Sequence, residues 1–191
     1  MKWMMYNNFV KIREIWLKSN DDLKVIVFTS SENAKFWDEI KDCPYFWDDN
    51  KTLRFFGTNS DDINHISSYL EELLNQVKEI NESNKNGSGE KRIAKLPKRF
   101  VIMTDDIDLV RNVSIVRTVL ETTEYIGISL VICTEKLNSL PNEVEHFISV
   151  DERSGGIFER VLTDGKRINF VPDFMFASLE RYVYVISNIP I

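Results

Sequence analysis

The residues best placed for chemistry are two consecutive carboxylates, Asp105 and Asp106, which follow the apolar run at residues 100–103. An apolar run this short, entered from Pro97, is typical of a buried central strand in a parallel sheet. In nucleotide-hydrolysing α/β folds such a strand ends in the Walker B pair, where the first carboxylate orders Mg²⁺-bound water and the second polarises the attacking water. The alternative is a solvated turn after a core strand, because Asp is common where a strand meets solvent.

Composition limits the class of protein. The chain has 191 residues, of which 43% are hydrophobic, and this is enough for one domain over residues 1–191 with a substantial core. A net charge of −6 argues against an autonomous nucleic-acid binder, which needs a basic face. The two cysteines, Cys43 and Cys133, indicate no disulfide framework and favour the cytosol. No apolar run approaches the roughly 20 residues that a transmembrane helix needs.

The elements that must position the acid pair alternate between helix and strand. Helical apolar spacing covers about residues 4–18, 32–41, 60–80 and 113–121, and short β-rich runs cover 23–28, 53–56, 100–104 and 128–133. This order predicts a three-layer α/β sandwich on a mostly parallel central sheet.

The remaining segments extend this pattern. Residues 147–150, 157–162 and 168–171 favour antiparallel hairpins at the sheet edge. Asp173 can cap a closing helix, and Phe176, Leu179, Val183 and Ile186 then share one face. Residues 81–96 are polar and glycine-bearing, which predicts a mobile surface loop.

Other candidate sites are weaker. Residues 87–92 are rich in Gly and basic residues, but no GxxxxGK(S/T) spacing occurs anywhere in the chain, so a phosphate cradle is not indicated. His65 and His146 each stand alone, which favours structural or surface roles over metal ligation. Cys43 has no base near it in sequence, and no GxSxG motif supports serine catalysis.

The aromatic loop carries the best interface candidates, namely Tyr45, Phe46 and Trp47. One interpretation is a contact surface for a neighbouring domain or subunit, since Trp and Tyr are favoured anchors. The other is a lid over the sheet edge. Arg54 follows this loop, and it could act in trans on a neighbour's nucleotide or form a salt bridge with a nearby Asp.

The order of these stretches resembles an FtsK/SpoIIIE-type RecA-like ATPase module. More narrowly, it is similar to the degenerate, membrane-proximal ATPase-like domain of the EssC/EccC ATPases of type VII secretion systems. The resemblance rests first on residues 21–28, and then on Trp37, Pro44 and Trp47, which lead into RFFGTN at 54–59. It continues with Leu96-Pro97 before the Asp-Asp strand. The last matches are GISLVICT at 127–134, followed by Leu140-Pro141-Asn142, and residues 170–173.

The resemblance implies roles for four residues. Asp105 matches the Mg²⁺-ordering acid, but Asp106 stands where an active module carries Glu. The shorter side chain sets a carboxylate back by roughly 1.5 Å, and misplacement by about 1 Å can cost on the order of 10²-fold in rate. Thr134 matches the sensor threonine, while Glu135 replaces the usual glutamine with a group that repels phosphate. The phosphate loop would lie at or before Met1, ahead of the helix at 4–18.

The resemblance therefore predicts a catalytically degenerate ATPase-like module, a structural and regulatory part of a membrane-anchored secretion ATPase. We expect that this domain binds no cofactor. The alternative is an active ATPase or DNA translocase whose phosphate loop lies upstream, and only in that case would ATP bind, with Mg²⁺ at Asp105. Expected partners are neighbouring ATPase domains and other secretion components, with homo-oligomers of the full-length protein, and no direct contact with nucleic acid or membrane. The domain would be cytoplasmic in a bacterium. A second alternative is a stand-alone protein-interaction domain.

Overall fold

The computed structural model describes residues 22–38, 40–86, 94–144, 146–151, 155–160, 165 and 167–170. The predicted helices at 4–18 and after Asp173 lie outside these ranges. The strands are β1 (Leu23–Phe28), β2 (Phe56–Gly57), β3 (Arg99–Thr104), β4 (Ile128–Ile132), β5 (His146–Asp151), β6 (Gly155–Arg160) and β7 (Arg167–Phe170). The helices are α1 (Ser60–Asn86), α2 (Ile107–Val110) and α3 (Ser114–Glu121).

The central sheet has the strand order β2-β1-β3-β4, and every pairing in it is parallel. Side chains of β1 and β3 alternate between two apolar clusters, as a period of two requires. On one face Ile26, Phe28 and Ile102 pack with the buried stripes of α1 and α3. The prediction of an α/β fold with a mostly parallel sheet is confirmed.

The opposite face of the sheet is covered by an aromatic segment, which we define as residues 34–47. Its 3₁₀ turns at Ala34–Trp37 and Pro44–Phe46 press Trp37 and Phe46 onto Val25 and Val27 of β1. The predicted α-helix over 32–41 is therefore wrong. A run this short gains few helical hydrogen bonds for the cost of nucleation, and tertiary packing decides its form.

The long helix α1 begins as predicted and ends later. Asn59 Oδ1 accepts hydrogen bonds from the N–H groups of Asp61 and Asp62, both at 3.0 Å, and so caps the helix. The helix continues to Asn86, so the predicted loop over 81–96 is wrong for residues 81–86. The Asn81 side chain holds Ala94 through two backbone hydrogen bonds, of 2.6 and 3.0 Å. The spacing of apolar residues, from which the end of the helix was predicted, carries no sign of this contact between polar groups.

The predicted strand over 53–56 shrinks to a two-residue ladder at Phe56–Gly57. Asp48 is the physical reason, because its carboxylate binds the N–H groups of Thr52 at 2.6 Å and Leu53 at 2.7 Å. These donors are then lost to any sheet ladder. Arg54 retains one isolated antiparallel bridge to Trp47.

The predicted hairpins are present, and they form a sheet of their own with the order β5-β6-β7, antiparallel throughout. Ser149 pairs with Ile157, and Ile157 pairs with Asn169 across the next strand. Within the described ranges, none of the helices combines the length and apolar character that crossing a bilayer requires.

Candidate functional site

The carboxyl ends of β1 and β3 bring two side chains together. The register sets Phe28 beside Thr104, so the next residues along each strand, Thr29 and Asp105, are neighbours. The Thr29 hydroxyl, which is fully buried, donates a 2.7 Å hydrogen bond to Asp105 Oδ1. Asp105 Oδ2 is also buried and makes no hydrogen bond of good geometry within the described residues.

Burial raises the pKa of Asp105 above its usual range, because the charged carboxylate is poorly solvated there. The hydrogen bond from Thr29, a backbone hydrogen bond and the side chain of Trp37 all oppose that rise, and the neighbouring charge of Asp106 adds to it. The net effect is a carboxyl group that gains a proton more readily than an exposed Asp.

Asp106 has a structural task. Its backbone is extended, and its Oδ1 accepts a 3.2 Å hydrogen bond from the N–H of Leu109, which makes it the N-cap of α2. The hydroxyl of Thr104 bonds both the N–H and the carbonyl of Asp106, at 3.2 and 3.0 Å, and fixes this backbone. The side chain at the position of the water-polarising acid, which the resemblance predicts to be degenerate, is thus held against a helix terminus.

Thr134 and Glu135 follow β4, whose end lies beside the end of β3. The Thr134 hydroxyl lies 2.7 Å from the hydroxyl of Ser139 and accepts a 3.1 Å bond from the N–H of Lys136. These contacts shape the turn after β4 and occupy the hydroxyl. Glu135 is exposed. The structure places the predicted sensor pair at the same sheet edge as Asp105, with its hydroxyl already engaged locally.

The interface candidates need a correction. Tyr45 and Phe46 are 7% and 1% exposed, so they belong to the core and cannot be surface anchors. The sheet needs an apolar cover on this face, and the aromatic segment supplies it. This resembles the predicted lid, although it covers the face of the sheet. Trp47 is half-buried, and it lies 5.4 Å from the guanidinium of Arg54, measured to the ring centroid.

Arg54 is held within its own chain. Its Nη2 lies 2.5 Å from Asp42 Oδ1 and 3.1 Å from the carbonyl of Lys41, and the guanidinium also stacks near Phe56. The salt bridge predicted as the plainer alternative is therefore present. A guanidinium with these contacts would have to give them up to reach a neighbouring molecule.

Sequence reasoning missed Thr29, although a polar residue directly after β1, in register with Asp105, was an available signal. It also missed Asp48, whose role depends on a turn. His65 and His146 are both exposed. In the part of the chain that the structure describes, no cluster of His, Cys, Asp and Glu could hold a metal ion.

We expect Asp105→Asn to leave the free energy of unfolding at pH 7 unchanged or raised by up to about 1 kcal/mol. A carboxyl whose pKa is raised on folding loses stability as pH rises from about 3.9, the unfolded value, through the folded pKa. The amide removes that loss, while its oxygen still accepts from Thr29.

Urea unfolding at pH 7 and pH 3.5 measures this effect, and the gain should vanish at the lower pH. Asp106→Asn is the matched control, since Asn caps a helix as well as Asp. A loss above about 2 kcal/mol in Asp105→Asn would mean that the charged carboxylate holds a structural network.

Comparisons with known proteins address the fold. No protein-family model matches the sequence, and no curated protein matches it. A solved structure of EssC ATPases 2 and 3 from Geobacillus thermodenitrificans is similar, with a TM-score of 0.54 at 11% sequence identity. The match covers 88% of this chain and 37% of the EssC chain, so this chain spans little more than a third of that length. At this identity the likeness shows the fold, an α/β fold like that of EssC ATPase domains.

Proposed function

We propose that this chain is a catalytically degenerate ATPase-like module, a structural and regulatory part of a membrane-anchored secretion ATPase. The observation that carries the proposal is the use of Asp106 as the cap of α2. A water-polarising carboxylate must point at the reacting centre, and this one points at the N–H of Leu109. The likeness of the fold to that of EssC ATPase domains supports a place in a secretion ATPase. The assignment to a type VII system rests on the sequence resemblance.

Three further features support loss of hydrolysis. The 191 residues contain no GxxxxGK(S/T) loop, so the chain offers no lysine and no backbone cradle of that type for β- and γ-phosphates. Burial raises the pKa of Asp105 above its usual range, and its Oδ1 already accepts a 2.7 Å hydrogen bond from the Thr29 hydroxyl. The Thr134 hydroxyl is engaged in its own turn. Each of these features would lower either the affinity for nucleotide or the rate of its hydrolysis.

The module would act through contacts, linking a membrane segment to active motor domains and passing their state across interfaces. Its partners would be neighbouring ATPase domains of the same polypeptide and other secretion components. No nucleotide is required for that role. The acidic net charge of −6 fits protein partners better than nucleic acid.

Calorimetric titration of the chain with Mg²⁺-ATP and with a non-hydrolysable analogue tests the proposal. We expect no binding up to about millimolar nucleotide, which corresponds to a binding free energy weaker than about −4 kcal/mol. Micromolar binding that disappears in Asp105→Asn would overturn the proposal and favour an active ATPase or translocase module. Asp108→Asn, at an exposed acid of α2 paired with Arg111, is the control for a simple loss of charge.

A further inference from the structure

The aromatic segment is attached to the central sheet in two ways. Its second turn, Pro44–Phe46, is joined through the backbone. The carbonyl of Phe46 accepts a 2.7 Å hydrogen bond from the N–H of Phe55, and the carbonyl of Phe55 accepts a 2.9 Å bond from the N–H of Val27 in β1. Backbone bonds do not depend on the identity of the side chains, so this end of the segment is fixed to the sheet.

The first turn of the segment, Ala34–Trp37, makes local backbone bonds instead. The N–H groups of Ile40 and Lys41 both donate to the carbonyl of Trp37, at 3.0 Å. These bonds keep the turn folded, but they do not join it to β1 or β3. The side chain of Trp37 is only 2% exposed and belongs to the same apolar cluster as Val27, so it provides the main attachment of this turn to the sheet.

Trp37 also has a polar contact with the sheet. Its side chain acts as a hydrogen-bond donor on the carboxyl group of Asp105 and lowers the pKa of that group. The Thr29 hydroxyl already takes Oδ1, at 2.7 Å, which leaves Oδ2 for the indole N–H. The indole nitrogen and Oδ2 are both shielded from solvent. A buried indole N–H needs an acceptor, and a carboxylate is a strong one.

We propose that Trp37 is a latch that fastens the first turn of the aromatic segment to the Asp105 carboxylate. Asp105 then joins three parts of the fold, namely β3 through its own backbone, β1 through Thr29 and the segment through Trp37. When this contact is broken, the first turn can leave the sheet while the second turn stays attached. The segment is thus a strap with one fixed end and one releasable end.

The latch contact is suited to reversible release. The geometry between the indole nitrogen and the Asp105 carboxylate is looser than that of the bond from Thr29. Release also uncovers part of the apolar cluster that Trp37 shares with Val27 and Met103. Exposure of apolar surface to water opposes release, so the closed strap is the resting state.

The latch connects the candidate site to a separate surface of the molecule. A cationic group that takes the Asp105 carboxylate competes with the indole N–H of Trp37, because Thr29 already occupies the other carboxylate oxygen. Such competition would change how the aromatic segment lies on the sheet without any hydrolysis. This regulatory use alone rests on the proposed function. The latch itself is a property of the fold and is tested without nucleotide.

Hydrogen exchange on the full chain tests the latch. Asp105→Leu keeps nearly the same side-chain size and removes both acceptor oxygens. We expect the amides of Ile40 and Lys41 to exchange about ten-fold faster in this variant, because loss of a bond to a charged group allows the first turn to open locally. The amides of Phe46 and Phe55, at the fixed end of the strap, should change by less than about two-fold.

Two further variants sharpen the result. Asp108→Leu, the same change at an exposed acid of α2, is the control and should leave these amides unaffected. Trp37→Phe removes the donor, so Asp105→Leu should add less than about two-fold to the exchange rates in that background. An equal acceleration by Asp105→Leu in both backgrounds would overturn the proposal. Unchanged rates at Ile40 and Lys41, or rates that rise as much in the second turn, would overturn it as well.

The indole signal of Trp37 keeps the proposal testable if Asp105→Leu fails to fold. Asp105→Asn retains the side-chain size, and we expect it to fold as stably as the wild type. In heteronuclear NMR spectra the indole N–H of Trp37 is identified by its absence in Trp37→Phe. This signal should move in Asp105→Asn, because the charged acceptor is gone, and should stay in place in Asp108→Asn. An unmoved signal in Asp105→Asn would contradict the latch.

Discussion

Replacing Phe55 with alanine is expected to lower the free energy of unfolding by about 4 kcal/mol. Phe55 is fully buried where β2, α1 and β3 meet. Its ring centroid lies 5.6 Å from that of Tyr69 and 6.2 Å from that of Phe100, the latter in an edge-to-face arrangement. Alanine removes these ring contacts and leaves a cavity, which rigid strands on either side cannot close.

Urea denaturation at pH 7 measures this loss, with two comparison variants. Phe55→Leu keeps most of the volume and should cost about 1.5 kcal/mol or less. Tyr125→Ala removes an aromatic ring that is 66% exposed and should change stability by less than about 0.5 kcal/mol. If Phe55→Ala cost no more than Tyr125→Ala, Phe55 could not be packed between α1 and β3 as described.

Asp48→Ala is expected to cost about 3 kcal/mol, because three donors lose an ionised acceptor. The buried carboxylate binds the N–H of Thr52 at 2.6 Å, that of Leu53 at 2.7 Å, and the Thr52 hydroxyl at 2.9 Å. These bonds shape the turn that leads from the aromatic segment to β2. The exposed acid Asp42, paired with Arg54, is the control, and Asp42→Ala should cost less than about 1 kcal/mol.

The same contacts set a pH dependence. Burial would raise the pKa of Asp48, but hydrogen bonds from Leu53 and Thr52 outweigh it and hold the pKa below its usual range. A carboxyl whose pKa is lowered on folding stabilises the protein above its unfolded value of about 3.9, and the benefit is lost as pH falls through the folded pKa. Stability should therefore decline below about pH 4, and less steeply in Asp48→Asn.

Some acid sensitivity should remain in that variant. Hydrogen bonds from Lys98 and Lys24 lower the pKa of Asp49, in spite of an opposing effect of burial. Unfolding measured from pH 3 to pH 7 separates the two acids. An identical pH profile for the wild type and Asp48→Asn would show that Asp48 does not titrate differently on folding.

Much of the fold could be predicted, because burial on both faces of a parallel sheet leaves uninterrupted apolar runs. The apolar runs of β1, β3 and β4 are short and uncharged apart from Lys24 and Arg99. The start of α1 is marked in the sequence by Asn59 and by two acids in the first turn. Periodicity located these elements. It could not locate the end of α1, since the last turns bury little and depend on the contact between Asn81 and Ala94.

The sequence predicted where the candidate site lies, but only part of what its side chains do. An acid directly after a buried strand must lie at the carboxyl edge of the sheet, so the placement of Asp105 followed from local sequence. Its neighbour Thr29 is 76 residues away in the chain, and their contact depends on which strands pair. The raised pKa of Asp105 likewise arises from burial among distant residues.

The sequence by itself determined the positions of β1, β3 and β4, the start of α1 and the place where the acids fall, because these follow from short apolar runs, from apolar spacing at 3.6 residues and from a helix cap. Only the tertiary structure decided that Asp106 caps a helix, that Tyr45 and Phe46 cover the sheet, and that Arg54 binds its own chain. Each of these depends on the direction of the backbone or on a partner that folding brings close. The local sequence would be the same if Asp106 faced a substrate, if the aromatic side chains were exposed or if Arg54 reached a neighbouring molecule.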